Sequence, residues 1–179
     1  MPTFSFRVVV VEEIDDEGAE RLYDAGCDDG VPESGPEGHS IGFDRESATL
    51  QKAVLSAIDN VEKAGFETLR IEPDELVSAS DIAERTNRSR QSISFLITGD
   101  RGPGNWPRPI AGNVRSPLWR WSDVAGWFAE FDGSQSINET EARFLAAVNE
   151  ILAARRALRP IDKKTRTQLL RRLASTSAA

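Results

Sequence analysis

The chain has 179 residues, 39 % hydrophobic and 28 % charged, enough for one generous domain or two small ones sharing an interface. No apolar run approaches the ~20 residues of a membrane span, so no membrane partner is expected. The opening MPTFSFRVVVVEE lacks the basic start, apolar helix and small-residue cleavage site of a secretory leader. One cysteine, Cys27, cannot form an internal disulfide, which fits a reducing cytoplasm. With His39 as its only histidine, the chain is short of zinc ligands, and no metal or cofactor is expected.

The net charge of −7 is unevenly spread. Residues 1–75 hold 6 Lys/Arg against 19 Asp/Glu, residues 76–128 hold 7 against 4, and residues 129–179 hold 9 against 6. An acidic N-terminal part is thus followed by mildly basic ones, which suggests modules facing different partners.

Phe4, Phe6, Val8 and Val10 alternate with Ser5, Arg7 and Val9, the period of a strand buried on one face. DEGAERLYDA, 16–25, reads as a short helix ended by Gly26, and CDDGVPESGPEG is turn-rich with room for an edge strand. HSIGFDRE, 39–46, is a second firm strand. From 47 to 64, Leu50, Val54, Ala57, Ile58 and Val61 mark a helical stripe, with Ser47 as its expected N-cap and Gly65 past its end. FETLRIEP, 66–73, closes the order strand–helix–strand–strand–helix–strand, a ferredoxin-like split βαβ plan. The expected organisation is α+β. An acidic module spans 1–73 and a joint lies at Pro73 and PDEL. A second, mildly basic module spans 74–131, and C-terminal helices with a frayed tail span 132–179.

DIAERTNRSRQSIS, 81–94, holds two short helical runs and three arginines. A helix-turn-helix needs a small residue where its helices cross, a left-handed turn residue, and apolar residues at fixed offsets. Counting from Ala79, Ala83 is fifth, Asn87 ninth, Ile93 fifteenth and Leu96 eighteenth. Each suits its place, and asparagine is the next best left-handed residue after glycine. Ser78 with Asp81 can cap the first helix and Ser89 the second. An ordinary helical hairpin on a globular surface would show similar alternation. Beyond it, Pro107–Ala111 and Leu118–Trp121 read as two strands around a Gly-Asn turn, and Ser122 reads as the cap of a helix to about Phe131.

LVSASDIAERTNRSRQSI, the Trp106-Pro107 step, and LWRWSDVAGWF with Trp119-Arg120, Ser122-Asp123-Val124 and Trp127 together resemble the winged helix-turn-helix of the MerR superfamily. The likeness is nearest to its AlpA/excisionase-like branch. It covers about residues 76–130. The segment 99–119 is longer and richer in Gly and Pro than a minimal wing, and Ser94-Phe95 stands where such second helices often carry Arg-Tyr.

The resemblance implies double-stranded DNA as partner, with the second helix in the major groove. Ser89, Arg90, Gln91 and Ser94 would then meet base edges, Arg90 reading guanine and Gln91 adenine by paired hydrogen bonds. Arg88, in the turn, is expected on phosphate, and Arg108 and Arg115, on the wing, on backbone or minor groove. For each arginine the alternative is a solvated surface charge. Trp119 and Trp127 are expected to pack the wing onto the helices. Trp106 and Trp121 are left undecided, and Phe95 either faces the groove or packs under the wing.

Asp24, Asp28, Asp29, Glu33 and Glu37 crowd one loop without a nucleophile, histidine pair or phosphate loop, so a solvated acidic surface is expected rather than an active site. Two functions remain open. One is a bacterial-type transcriptional regulator whose N-terminal module senses a small molecule or dimerises. The other is an antitoxin-like interaction protein whose acidic module masks a basic partner while the winged part autoregulates. Residues 138–158 form a long helix capped by Asn138 and Glu141, with Phe144, Val148, Ile151 and Leu152 along one face. That stripe either covers the core or, as the resemblance implies, forms a homodimer contact. Pro160 breaks the helix, and Leu169, Leu170 and Leu173 mark a last one.

Overall fold

A computed structural model describes residues 1–35, 38–73, 75–132 and 137–173. Glu37 of the acidic loop, Asp74 of the joint, the polar stretch 133–136 and the tail 174–179 lie outside them. The fold is α+β. β1 (Thr3–Val10) pairs antiparallel with β3 (Gly38–Glu46) and with β4 (Thr68–Glu72), and β2 (Gly30–Gly35) pairs antiparallel with β3. The sheet order is β2-β3-β1-β4. Alternation along β1 sends Phe6, Val8 and Val10 into one cluster with Ile41, Phe43 and Ile71. The helices α1 (Asp16–Asp24) and α2 (Leu50–Lys63) bring Leu22, Val54, Ala57, Ile58 and Val61 to the same core.

The cap of α2 is Thr49, whose hydroxyl accepts from the Lys52 N–H at 3.3 Å, rather than the expected Ser47. β3 runs on to Glu46 opposite Thr3, so Ser47 is still leaving the sheet and donates its N–H to the Pro2 carbonyl at 3.0 Å. The acidic turn is pinned from below. Arg45 is 8 % exposed and donates twice to Asp29 at 2.7 Å, and also to Ser56, Asn60 and the Gly26 carbonyl. Burying a guanidinium is tolerable only when its donors are satisfied in this way.

A second cluster forms on β5 (Leu76–Val77), α3 (Ala79–Arg85), α4 (Arg90–Thr98), β6 (Ala111–Asn113), β7 (Ser116–Arg120) and α5 (Trp121–Asp132). Its sheet has the order β5-β7-β6, antiparallel throughout. The hairpin begins later than its sequence suggests. Pro107 and Pro109 have no N–H to give a ladder, and the first such bond is from Ile110 to the Leu118 carbonyl at 2.8 Å. Gly112 and Asn113 therefore lie in β6, and Val114-Arg115 make the turn. Gly112 has φ +81°, and a Cβ there would stand 2.1 Å from the Ser116 carbonyl oxygen. Ser122 does not cap α5 either. Its N–H and hydroxyl both donate to the Glu75 carboxylate, at 3.2 and 2.5 Å.

α6 (Glu139–Leu158) joins the two clusters. Ile137, just before it, and Ala142 near its start belong to the second, Val148 and Leu152 to the first. The side chain of Asn149 donates to the Ile71 carbonyl at 2.9 Å and accepts from its N–H at 2.7 Å, closing the open edge of β4 as a further strand would. Of the two readings of the stripe, core cover and dimer contact, the first holds for most of its side chains, which pack on the chain's own core. Val148 and Leu152 are 8 % and 5 % exposed, Phe144 is half-buried, and only Ile151 faces solvent. No described helix is long and apolar enough to cross a membrane.

Candidate nucleic-acid interface

The pair α3–α4 is assembled by local chemistry. The Ser78 hydroxyl accepts from the Asp81 N–H at 3.3 Å, and the Asp81 carboxylate accepts from the Ser78 N–H at 2.7 Å, so the expected capping box is present. The turn passes through Asn87 at φ 51°, with the Arg88 N–H returning to the Ala83 carbonyl at 2.8 Å. Ser89 then caps α4, its hydroxyl accepting from the Ser92 N–H at 3.1 Å. Beneath the two helices Ile82, Ala83, Ile93 and Leu96 are buried with Val77, Trp119, Val124, Ala125 and Phe128.

Sealing that side leaves the other outward. Arg90, Gln91 and Ser94 are exposed and share an arc of α4 opposite Ile93 and Leu96, and Ser89 is exposed at its start. Arg108 precedes the hairpin and Arg115 sits in its turn, both exposed. Between them Val114 is fully exposed at the tip, and the Asn113 side chain accepts from the Arg115 and Ser116 N–H groups at 2.9 and 3.1 Å. Arg88 is placed differently. It is half-buried with its guanidinium 5.2 Å from the Phe128 ring centroid, behind the row formed by Arg90, Gln91 and Ser94. Arg85 stands likewise over Trp121 at 5.1 Å.

The Gly- and Pro-rich segment before the hairpin is held by indoles. Trp119 donates its Nε1–H to the Pro107 carbonyl at 3.0 Å, and Trp127 donates to the Gly104 carbonyl at 2.9 Å. Trp106 lies edge-on to Trp127 at 4.8 Å, to Phe128 at 5.9 Å and to Trp119 at 6.5 Å. All but Trp121 thus fix this loop against β7 and α5 (Trp121 takes Arg85 instead), which a reading of the tryptophans as simple packing anchors does not reveal. Arg101 was also missed. Its guanidinium covers the ring of Phe95 at 4.9 Å, and Phe95 is half-buried on α4. The one available signal was the Arg101-Gly102 pair that follows Asp100, just past the α4 cap at Gly99.

The acidic loop is divided by the fold. Asp29 belongs to Arg45, and Glu33 faces Arg7 at 3.0 Å. Among the described residues no group of three or more His, Cys, Asp or Glu could hold a metal ion. Burial pushes the Cys27 thiol up to about 11, so it stays protonated at neutral pH. No protein-family model, curated protein or solved structure matches this chain.

Proposed function

We propose that residues 76–131 bind double-stranded DNA with sequence preference as a MerR-like winged helix-turn-helix, and that the protein is a bacterial-type transcriptional regulator. In this reading α4 enters the major groove and the β6–β7 hairpin is the wing. The observation that carries it is the exposed row of Arg90, Gln91 and Ser94 on a capped helix whose opposite side is sealed. Arginine and glutamine are the side chains able to read guanine and adenine through two hydrogen bonds each. Arg108 and Arg115 flank that row with charge for the backbone. The strand order β2-β3-β1-β4 supports reading the N-terminal region as a ferredoxin-like module, here assigned to sensing or assembly.

Duplexes selected by the native protein from a randomised pool, then titrated by fluorescence anisotropy, test the proposal. Arg90→Ala should lose about 1–3 kcal/mol on the preferred site and blur the preference at one position. Arg115→Ala should weaken all sequences alike and flatten the salt dependence by about one counterion. Absence of duplex binding at micromolar protein in low salt would sink the reading.

A further inference from the structure

The last helix, α7 (Lys163–Leu173), is poorly supported by the rest of the chain. Its eleven residues include Lys163, Lys164, Arg166, Arg171 and Arg172 and no acid, and none of them is buried. The Asp162 carboxylate caps it, accepting from the Lys164 and Thr165 N–H groups at 3.0 and 3.1 Å. A cap alone does not hold such a helix, because those shorter than ~12–15 residues are marginal in water without packing. Arg166, Leu169, Leu170 and Leu173 share one face at helical spacing, and Leu170 and Leu173 are 51 % and 73 % exposed. α7 is thus a cationic helix whose leucine stripe includes two largely exposed members.

Surfaces of the opposite character are the outer sides of α1 and α2. Exposed there are Asp16, Glu17, Glu20, Asp24 and Asp59, with Tyr23 and Leu55 at 68 % and 50 % exposure as apolar footholds. The cations on these helices are fewer: Lys52, Lys63 and Arg21, the last turned onto Glu17 and the Phe66 ring.

We infer that α7 of one copy docks on the acidic α1–α2 surface of a second copy of this chain. Charge complementarity selects this occupant over α7 pairing with α7, which would set five cations against five. The leucine stripe disfavours duplex DNA, since a phosphate backbone would answer the cations and leave the leucines in water. Position agrees. α6 is 20 residues long, roughly 30 Å. α7 follows the end of α6 where Arg155 and Arg159 pair with Glu62 and Glu67, not the end that meets α5. So small and charged a contact should be weak and salt-sensitive.

Sedimentation of the full chain tests this. Native protein should associate at tens of micromolar in low salt and dissociate at about 1 M salt, where screening acts within ~3 Å. A variant carrying Lys163→Glu, Lys164→Glu, Arg171→Glu and Arg172→Glu should stay folded by circular dichroism, since it alters no buried residue, and should be monomeric. So should one carrying Asp16→Lys, Glu20→Lys and Asp24→Lys. Mixing the two should restore association as a mixed pair. A monomeric native protein in low salt, a reversed variant that associates like the native chain, or a mixture that stays apart each overturns the inference. If the α7 variant instead lowers DNA affinity and salt dependence in a protein that is monomeric throughout, α7 contacts the duplex and the second-copy assignment falls. None of the association outcomes depends on α4, so failure here and failure of the DNA-binding proposal are told apart.

Discussion

Arginines in the first 73 residues meet carboxylates, whereas three of those between 76 and 120 lie over aromatic rings and three more are exposed. Arg7 pairs with Glu33 at 3.0 Å, Arg70 with Glu72 at 2.6 Å and Arg45 with Asp29 at 2.7 Å. Arg45 also stands over the Phe43 ring, but it still keeps its carboxylate. In the second region Arg85, Arg88 and Arg101 lie over Trp121, Phe128 and Phe95, while Arg90, Arg108 and Arg115 are exposed. Arg120 is bonded to Glu150 of α6 at 2.9 Å. A carboxylate cancels a cation's field; a ring binds the cation through its quadrupole and leaves the net charge in place. The first region thus spends its arginines on carboxylates within the fold, whereas the second keeps Arg90, Arg108 and Arg115 at its surface. It is on those three surface arginines that the proposed duplex contact rests.

The largest test of this division compares Arg45→Ala with Arg90→Ala in urea unfolding. Arg45→Ala leaves Asp29 and the Asn60 and Ser56 acceptors without their donor and should cost about 3 kcal/mol, the scale for breaking a buried pair. Arg90→Ala should leave stability within about 0.5 kcal/mol while weakening DNA. Equal losses would mean that Arg90 also holds the fold.

A smaller effect probes the link between the regions. All four tryptophans, Trp106, Trp119, Trp121 and Trp127, lie in the second region, so their fluorescence follows that region while far-ultraviolet circular dichroism follows the whole chain. Asn149→Ala removes both hydrogen bonds to Ile71 and should cost about 2 kcal/mol, the penalty for leaving buried backbone groups unpaired. It should also separate the two unfolding curves, which coincide in the native protein if α6 couples the regions. Curves that remain superimposed would place the coupling elsewhere along α6.

What could be read beforehand follows sequence distance. The capping box of Ser78 and Asp81, the left-handed Asn87 and the cap Ser89 are signals spanning three or four residues, and the apolar offsets of α3 and α4 follow from helical period alone. Glu75 reaches Ser122 across 47 positions, and Asn149 reaches Ile71 across 78. Such pairs exist only once the elements are packed, so neither the true start of α5 nor the closing of β4 was legible. The exposure of Arg90, Gln91 and Ser94 was legible because burial of Ile93 and Leu96 dictates which side of α4 faces out. Arg88 was not, since its partner ring belongs to a helix forty residues later.

The smallest effect concerns the start of α3. The Ser78 backbone N–H, donating at 2.7 Å, holds the Asp81 carboxyl below the usual carboxylate range, helped by the Ser78 hydroxyl and by Arg85 and Arg90 nearby. A carboxyl depressed on folding contributes stability that is present above its unfolded value, about 3.9, and is lost as pH falls through the lower folded value. Asp81 is largely exposed, so solvent screening keeps this contribution well under about 1 kcal/mol. Asp81→Asn should therefore lower the urea midpoint slightly near neutrality, as seen by tryptophan fluorescence. The gap from the native protein should narrow as the pH falls through the lowered folded value of Asp81, below which both side chains are uncharged. A gap that persists unchanged in acid would show that Ser78 alone starts α3, and that the carboxylate matters only for the field around Arg90.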